Sequence, residues 1–165
     1  MSVRRLTVFL VASLSLGLTA CGFTPMYGSG SAARGLENVQ VETGEERVDF
    51  MLQEALLDAM GSRRAADGRT LRTETELQAT PLGIGADAIA RRFAIRLSVD
   101  YELVDDRSGD VLFSGSVSTE ASYNASNAAY ASQTAQLDAE ERAAQDAADR
   151  ITMQLARAAR NGELW

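Results

Sequence analysis

The chain has 165 residues, 16 basic and 23 acidic, for a net charge of −7, with no histidine and a single cysteine. That excludes imidazole and multi-thiolate metal sites, and Ser-His-Asp or Cys-His catalysis. An acidic surface argues against general nucleic-acid binding; every basic residue is arginine, for which we have no physical account.

The N-terminus has the three parts of a secretory signal. Arg4 and Arg5 are the positive end, Leu6 to Leu18 the apolar run, and small residues follow. At 13 residues the run falls short of the roughly 20 that span a bilayer, so the segment reads as an address to be removed. Leu18-Thr19-Ala20-Cys21 has the form of a lipobox: an apolar residue, two small ones, and a thiol nucleophile to accept diacylglycerol. An unpaired cysteine in an exported chain otherwise needs an explanation, and acylation supplies one. One acyl chain holds a membrane only marginally while two or more hold it stably. Gly22, rather than aspartate, follows the cysteine; by the sorting rule for such lipoproteins the destination is the periplasmic side of the outer membrane.

The expected organisation is a cleaved signal peptide over 1–20, a lipidated N-terminus and flexible tether over 21–35, and one periplasmic domain over 36–165. Cleavage removes Arg4 and Arg5, leaving 14 arginines against 23 acids, a charge near −9. Gly28-Ser29-Gly30-Ser31-Ala32-Ala33 supplies the tether. Carboxylate pairs can do acid–base work, but nothing marks one pair among the 23. Gly83-Ile84-Gly85 lacks the lysine and flanking glycines of a phosphate loop. No enzyme, no metal site and no cofactor beyond the lipid on Cys21 is expected.

Glu37 to Glu42 alternates, with Val39 and Val41 on one side, and predicts a short strand. Thr43-Gly44-Glu45-Glu46 matches a capping box ahead of a helix whose apolar positions are Val48, Met51, Leu52, Ala55, Leu56 and Ala59, closed by Gly61. Leu71, Thr73, Thr75 and Leu77 then alternate with Arg72, Glu74, Glu76 and Gln78, before a loop with Pro81, Gly83 and Gly85. The clearest strand follows: Phe93, Ile95, Leu97, Val99, Tyr101 and Leu103 face one way, and Arg92, Ala94, Arg96, Ser98, Asp100 and Glu102 the other. A hairpin loop at Asp105–Asp110 returns a strand with Val111, Phe113, Gly115, Val117, Thr119 and Ala121 on its apolar face. From Ser132 to Arg160 an alanine-rich helix carries Leu137, Ala144, Ala148, Ile151, Leu155 and Ala158 as its stripe.

The predicted fold class is α+β: a two-layer sandwich of an about four-stranded, mostly antiparallel sheet with two helices on one face, in the order β-α-β-β-β-α. The opposite face is polar and is where function is expected.

Directly at the lipobox stands Cys21-Gly22-Phe23-Thr24-Pro25-Met26-Tyr27-Gly28. This run resembles the opening of the lipopolysaccharide-assembly lipoprotein family, LptE. Tyr101-Glu102-Leu103, Gly115, Tyr123-Asn124 and Tyr130-Ala131 ahead of the alanine- and arginine-rich helix are similar to it as well. The resemblance implies a non-catalytic plug and assembly partner of a large outer-membrane β-barrel, LptD, that delivers lipopolysaccharide to the surface. It also implies contact with lipopolysaccharide through basic residues. By charge the candidates are Arg91, Arg92 and Arg96, with Arg63, Arg64, Arg69 and Arg72 as a second group, because arginine forks suit phosphate. The simpler reading pairs them with Glu74, Glu76, Asp100 or Glu102. Phe23, Pro25 and Tyr27 are candidate barrel-docking residues, or part of a stiff tether. Two other readings stay open: a lipid-binding auxiliary lipoprotein of a transport system, which needs a pocket between sheet and helices, and a carboxylate hydrolase, which needs two acids across a cleft.

Overall fold

The computed structural model describes residues 35–61, 68–82 and 92–164, all within the compact unit Ser31–Trp165. Six elements follow one another: β1 (Gln40–Glu42), α1 (Arg47–Met60), β2 (Arg69–Pro81), β3 (Arg92–Asp105), β4 (Val111–Asn124) and α2 (Ala129–Asn161). This is the predicted β-α-β-β-β-α order.

The four strands form one sheet in the order β1-β2-β3-β4. β2, β3 and β4 are the antiparallel meander expected from their alternation. β1 pairs parallel with β2, Gln40 to Glu42 against Thr70 to Arg72. A parallel neighbour needs a crossover, and α1 provides it. The strand is shorter than Glu37–Glu42 because residues 35–38 are in turns, yet Val39 and Val41 are buried as the alternation requires.

Both helices pack on one face of the sheet, against the odd-numbered residues of β2, β3 and β4. Leu71, Ile95, Leu97, Val99, Tyr101 and Leu103 are fully buried there, beneath Val48, Leu52 and Leu56 of α1 and Ile151 and Leu155 of α2. The α2 stripe is wider than predicted, with Ala139, Ala143 and Ala147 joining Ala144 and Ala148, while Leu137 is only half-buried. Methyl groups let the helix axis lie close to the sheet. Thr119 uses that proximity to donate its buried hydroxyl to the Ala143 carbonyl at 2.9 Å.

Three local expectations change. The cap of α1 is Glu46, not Thr43: Asp49 Oδ2 accepts the Glu46 N–H at 2.9 Å, so the reciprocal carboxylate stands three residues later. Asp49 is buried and also accepts the Thr75 hydroxyl from β2 at 2.6 Å. A β-carbon on Gly44 would collide with that carboxylate. Second, the register shifts between Leu103 and Val104, with Leu103 opposite Phe113 and Val104 opposite Val111. One extra residue on β4 reverses the alternation before it; Val111 therefore turns outward and is 52% exposed, and Leu112 packs against the core instead. Third, Pro81 ends β2 rather than belonging to a loop. Gly61 closes α1 as predicted and Gly162 closes α2, with φ of 64° and 74°, left-handed values that glycine adopts without a Cβ clash.

Candidate functional site

The face turned away from the helices is built from the even-numbered residues of β2, β3 and β4, and the register sets them in rows. Arg72, Glu102 and Ser114 form one row, Glu74, Asp100 and Ser116 the next, then Glu76, Ser98 and Ser118, and then Gln78, Arg96 and Glu120. Thr80, Ala94 and Ser122 follow, and Arg92 stands opposite Asn124. Charge is graded along the strands. Glu74 and Asp100 lie directly opposite each other, a like-charge placement that costs stability. The arginines of β3 stand at the other end.

Arg92 and Arg96 are four residues apart on one face, roughly 13 Å at strand rise, and both are exposed. Arg96 Nη2 meets Glu120 Oε2 at 3.0 Å, and Arg92 Nη2 donates to Ser122 Oγ at 3.1 Å. The sequence reading looked to β2 and β3 for acidic partners; the β3–β4 register supplies Glu120 instead. Arg72 of the second group pairs with Glu42 of β1 at 3.1 Å, and Arg69 is half-buried at the start of β2. These exposed pairs are worth at most about 1 kcal/mol each, so they hold the arginines in place without committing them. At the acidic end a cavity of about 620 Å³ is lined by Arg72, Glu74, Asp100, Glu102, Ser114 and Ser116 among others.

Two aromatic contacts flank this face from beneath. Phe93 and Tyr123, cross-strand partners, stack with centroids 5.4 Å apart. Tyr101 leans on Phe113 at 6.2 Å and donates its hydroxyl to Gln154 of α2; burial pushes its phenol up to about 12. In the β3–β4 loop Asp105 Oδ1 accepts the Arg107 and Ser108 amides at 2.8 and 3.3 Å, which holds its carboxyl below the ordinary value.

Sequence reasoning missed a buried carboxylate pair of contacts at the helix layer. Glu140 sits inside the alanine stripe of α2, 1% exposed, and accepts Arg47 Nη2 at 2.6 Å and Gln136 Nε2 at 2.8 Å. The signal was its spacing, one residue after Ala139 and three before Ala143 on the apolar face. Between α1 and α2 runs a groove of about 920 Å³ whose lining includes Met51, Glu54, Asp58, Glu141 and Asp149. Neither this groove nor the sheet-face cavity lies between the sheet and the helices; a smaller groove of about 380 Å³ is lined by Ser116 and Ser118 of β4 and by Arg150 and Gln154 of α2.

Among the described residues no group of His, Cys, Asp and Glu could hold a metal ion, and no helix is long and apolar enough to cross a membrane. Cys21, Phe23, Pro25, Tyr27, Arg63, Arg64 and Arg91, with the leader over 1–20 and the glycine-serine stretch, lie outside the described residues.

The LptE lipopolysaccharide-assembly family model matches residues 36–155. A solved structure described as a lipoprotein from Caulobacter crescentus CB15 is 30% identical, covers 81% of this chain and 98% of its own, and superposes with a TM-score of 0.71. Rare lipoprotein B from Shewanella oneidensis is 14% identical, with 76% and 98% covered and a TM-score of 0.58. A minor lipoprotein from Acinetobacter baumannii is 18% identical, with 75% and 93% covered and a TM-score of 0.55. The last two speak to the fold alone. No curated protein matches.

Proposed function

Because the chain belongs to the LptE lipopolysaccharide-assembly family, we propose that it serves as plug and assembly partner of the outer-membrane β-barrel, LptD, that exports lipopolysaccharide. In this reading the chain is held to the periplasmic side of the outer membrane by the lipid on Cys21 and acts by contact, without catalysis. The observation that carries it is the family match running from Leu36, in the turn ahead of β1, into α2, over the whole sheet.

The polar sheet face supports the same reading. A barrel lumen is polar, and a face of serines, carboxylates and arginines suits it. Arg92 and Arg96, presented on one strand and exposed, are the groups we assign to phosphates of lipopolysaccharide, since guanidinium forks bind phosphate oxygens in pairs. Phe23, Pro25 and Tyr27 are assigned to docking on the barrel.

The test is co-purification and capture. Full-length lipoprotein extracted in mild detergent is expected to bring down one β-barrel of far greater mass in equal amount. Photocrosslinkers at Gln78, Ser98 and Ser116 are expected to capture that barrel or the glycolipid in living cells. A lipoprotein that purifies alone, whose depletion leaves every barrel at its normal level, overturns the proposal.

A further inference from the structure

β4 is the terminal strand of the sheet. Beyond the bulge its even-numbered residues, Ser114 to Asn124, turn their backbone groups away from β3 and offer a row of amides and carbonyls on which another strand could build. Two of those carbonyls are already taken. Arg150 Nη1 donates to the Ser118 carbonyl and Arg142 Nη2 to the Ser122 carbonyl, each at 3.3 Å. The match is geometric: eight residues of helix rise about 12 Å, and four residues of strand about 13 Å. An arginine that reaches one outward carbonyl therefore has its successor, two turns away, at the next but one.

Each guanidinium is steadied from the preceding turn. Arg142 Nε meets Asp138 Oδ2 at 3.0 Å, and Arg150 grips Asp146 through Nε at 3.1 Å and Nη2 at 2.9 Å. Arg157 continues the row, lining with Ser116, Ser118 and Arg150 a groove of about 380 Å³ beside the strand. The opposite margin of the sheet carries a similar contact, Gln53 Nε2 donating to the Val41 carbonyl at 3.1 Å.

Beyond its bulge the strand carries no charge pattern that discourages self-pairing. In an antiparallel pair of β4 strands centred on Ser118, Glu120 would face Ser116 and Ser122 would face Ser114, with no like charges opposed. On the other side Val117 would face Thr119. The obstacle is the arginine row, which occupies carbonyls the second strand needs and sets cations of the two copies against each other.

We propose that Arg142 and Arg150 are edge guards that bar β4 from pairing with β4 of a second copy of this chain. The test uses the full chain, produced without the barrel and held in detergent, with light scattering after size exclusion over a hundredfold range of concentration. Wild type is expected to stay monomeric. Arg142→Ala with Arg150→Ala is expected to dimerise at concentrations at least tenfold below any at which wild type does. Adding Ser118→Pro to that variant is expected to restore the monomer, because the Ser118 amide points away from β3 and proline there removes no ladder bond. Should the alanine pair lose helical circular dichroism, Arg142→Met with Arg150→Met reads the same quantity with the side-chain stems kept and the donors removed. A folded double variant that remains monomeric overturns the proposal, as does a dimer indifferent to Ser118→Pro or a wild type already paired through β4.

Discussion

Tyr101 and Gly115 face each other across β3 and β4, and the tyrosine ring occupies the room a side chain at position 115 would need. A β-carbon on Gly115 would stand 2.6 Å from Tyr101 Oη and 2.8 Å from Cζ. The ring cannot simply swing aside, because its hydroxyl is bonded to Gln154 of α2. Glycine is thus the residue that lets a strand, an aromatic ring and a helix meet at one point.

Gly115→Ala should therefore destabilise the fold by about 1–3 kcal/mol, the usual cost of overpacking. The same change in a Tyr101→Ala background should cost much less, since the opposing ring is gone. Urea denaturation of the four proteins measures both; equal costs in the two backgrounds would show that the ring is not the obstacle.

The Tyr101 phenol makes stability fall at alkaline pH. Burial raises it from 10.0 to about 12, so the folded state holds the proton more tightly than the unfolded one. The contribution is complete below pH 10 and is lost as pH rises from 10 toward 12. Tyr101→Phe should flatten the slope while lowering stability at neutral pH through the unfilled Gln154 acceptor. Denaturation midpoints between pH 8 and 11.5 test it.

Arg47 is half exposed while its partner Glu140 is 1% exposed, so the two ends of this ion pair respond differently. Arg47→Ala leaves a buried carboxylate with only Gln136 as a side-chain donor, and should cost about 1–2 kcal/mol after allowance for solvent on the arginine side. Glu140→Gln keeps a hydrogen-bonding group and should cost less. Thermal unfolding of the two variants ranks them; a harmless Arg47→Ala would remove the pair from the account of how α1 is held to α2.

If Arg96 contacts lipopolysaccharide, Glu120 competes with the ligand for it. Arg96→Ala should weaken binding of the purified protein to lipopolysaccharide by about tenfold, in keeping with one lost charge-assisted hydrogen bond. Glu120→Ala, which frees the guanidinium, should tighten binding by about threefold. An arginine serving only the sheet predicts no change for Glu120→Ala, so a flat response there would remove Arg96 from the contact.

Much of this architecture was legible before any coordinates. The six alternations of β3 define both faces of the sheet unaided, and they place Arg92 and Arg96 together. Where reading stopped, the cause is physical. Val111, Leu112 and Phe113 are three apolar residues in a row, so no alternation marks the extra residue on β4. That bulge lies in the same β3–β4 pairing that brings Glu120 to Arg96, and a register is not written in the alternation of either strand. The cap of α1 lies three residues later than Thr43 because Thr43, Glu46 and Asp49 repeat the same spacing, and the bond from Thr75 of β2 to Asp49 is not visible along the chain. The parallel placement of β1 depends on where α1 carries the chain, and three residues are too few to announce it.

The alanine stripe on α2 has a mechanical consequence. Alanine surrenders no rotamer freedom on burial, but it also has no flexible arm with which to maintain contact if the backbone withdraws. Dispersion across such a seam loses about a quarter to a half of its strength within an ångström of separation, and Ala139, Ala143, Ala144, Ala147 and Ala148 would all feel the same gap together. Through this stretch α2 should seat or detach in one motion, more like a latch than a tape peeled from one end.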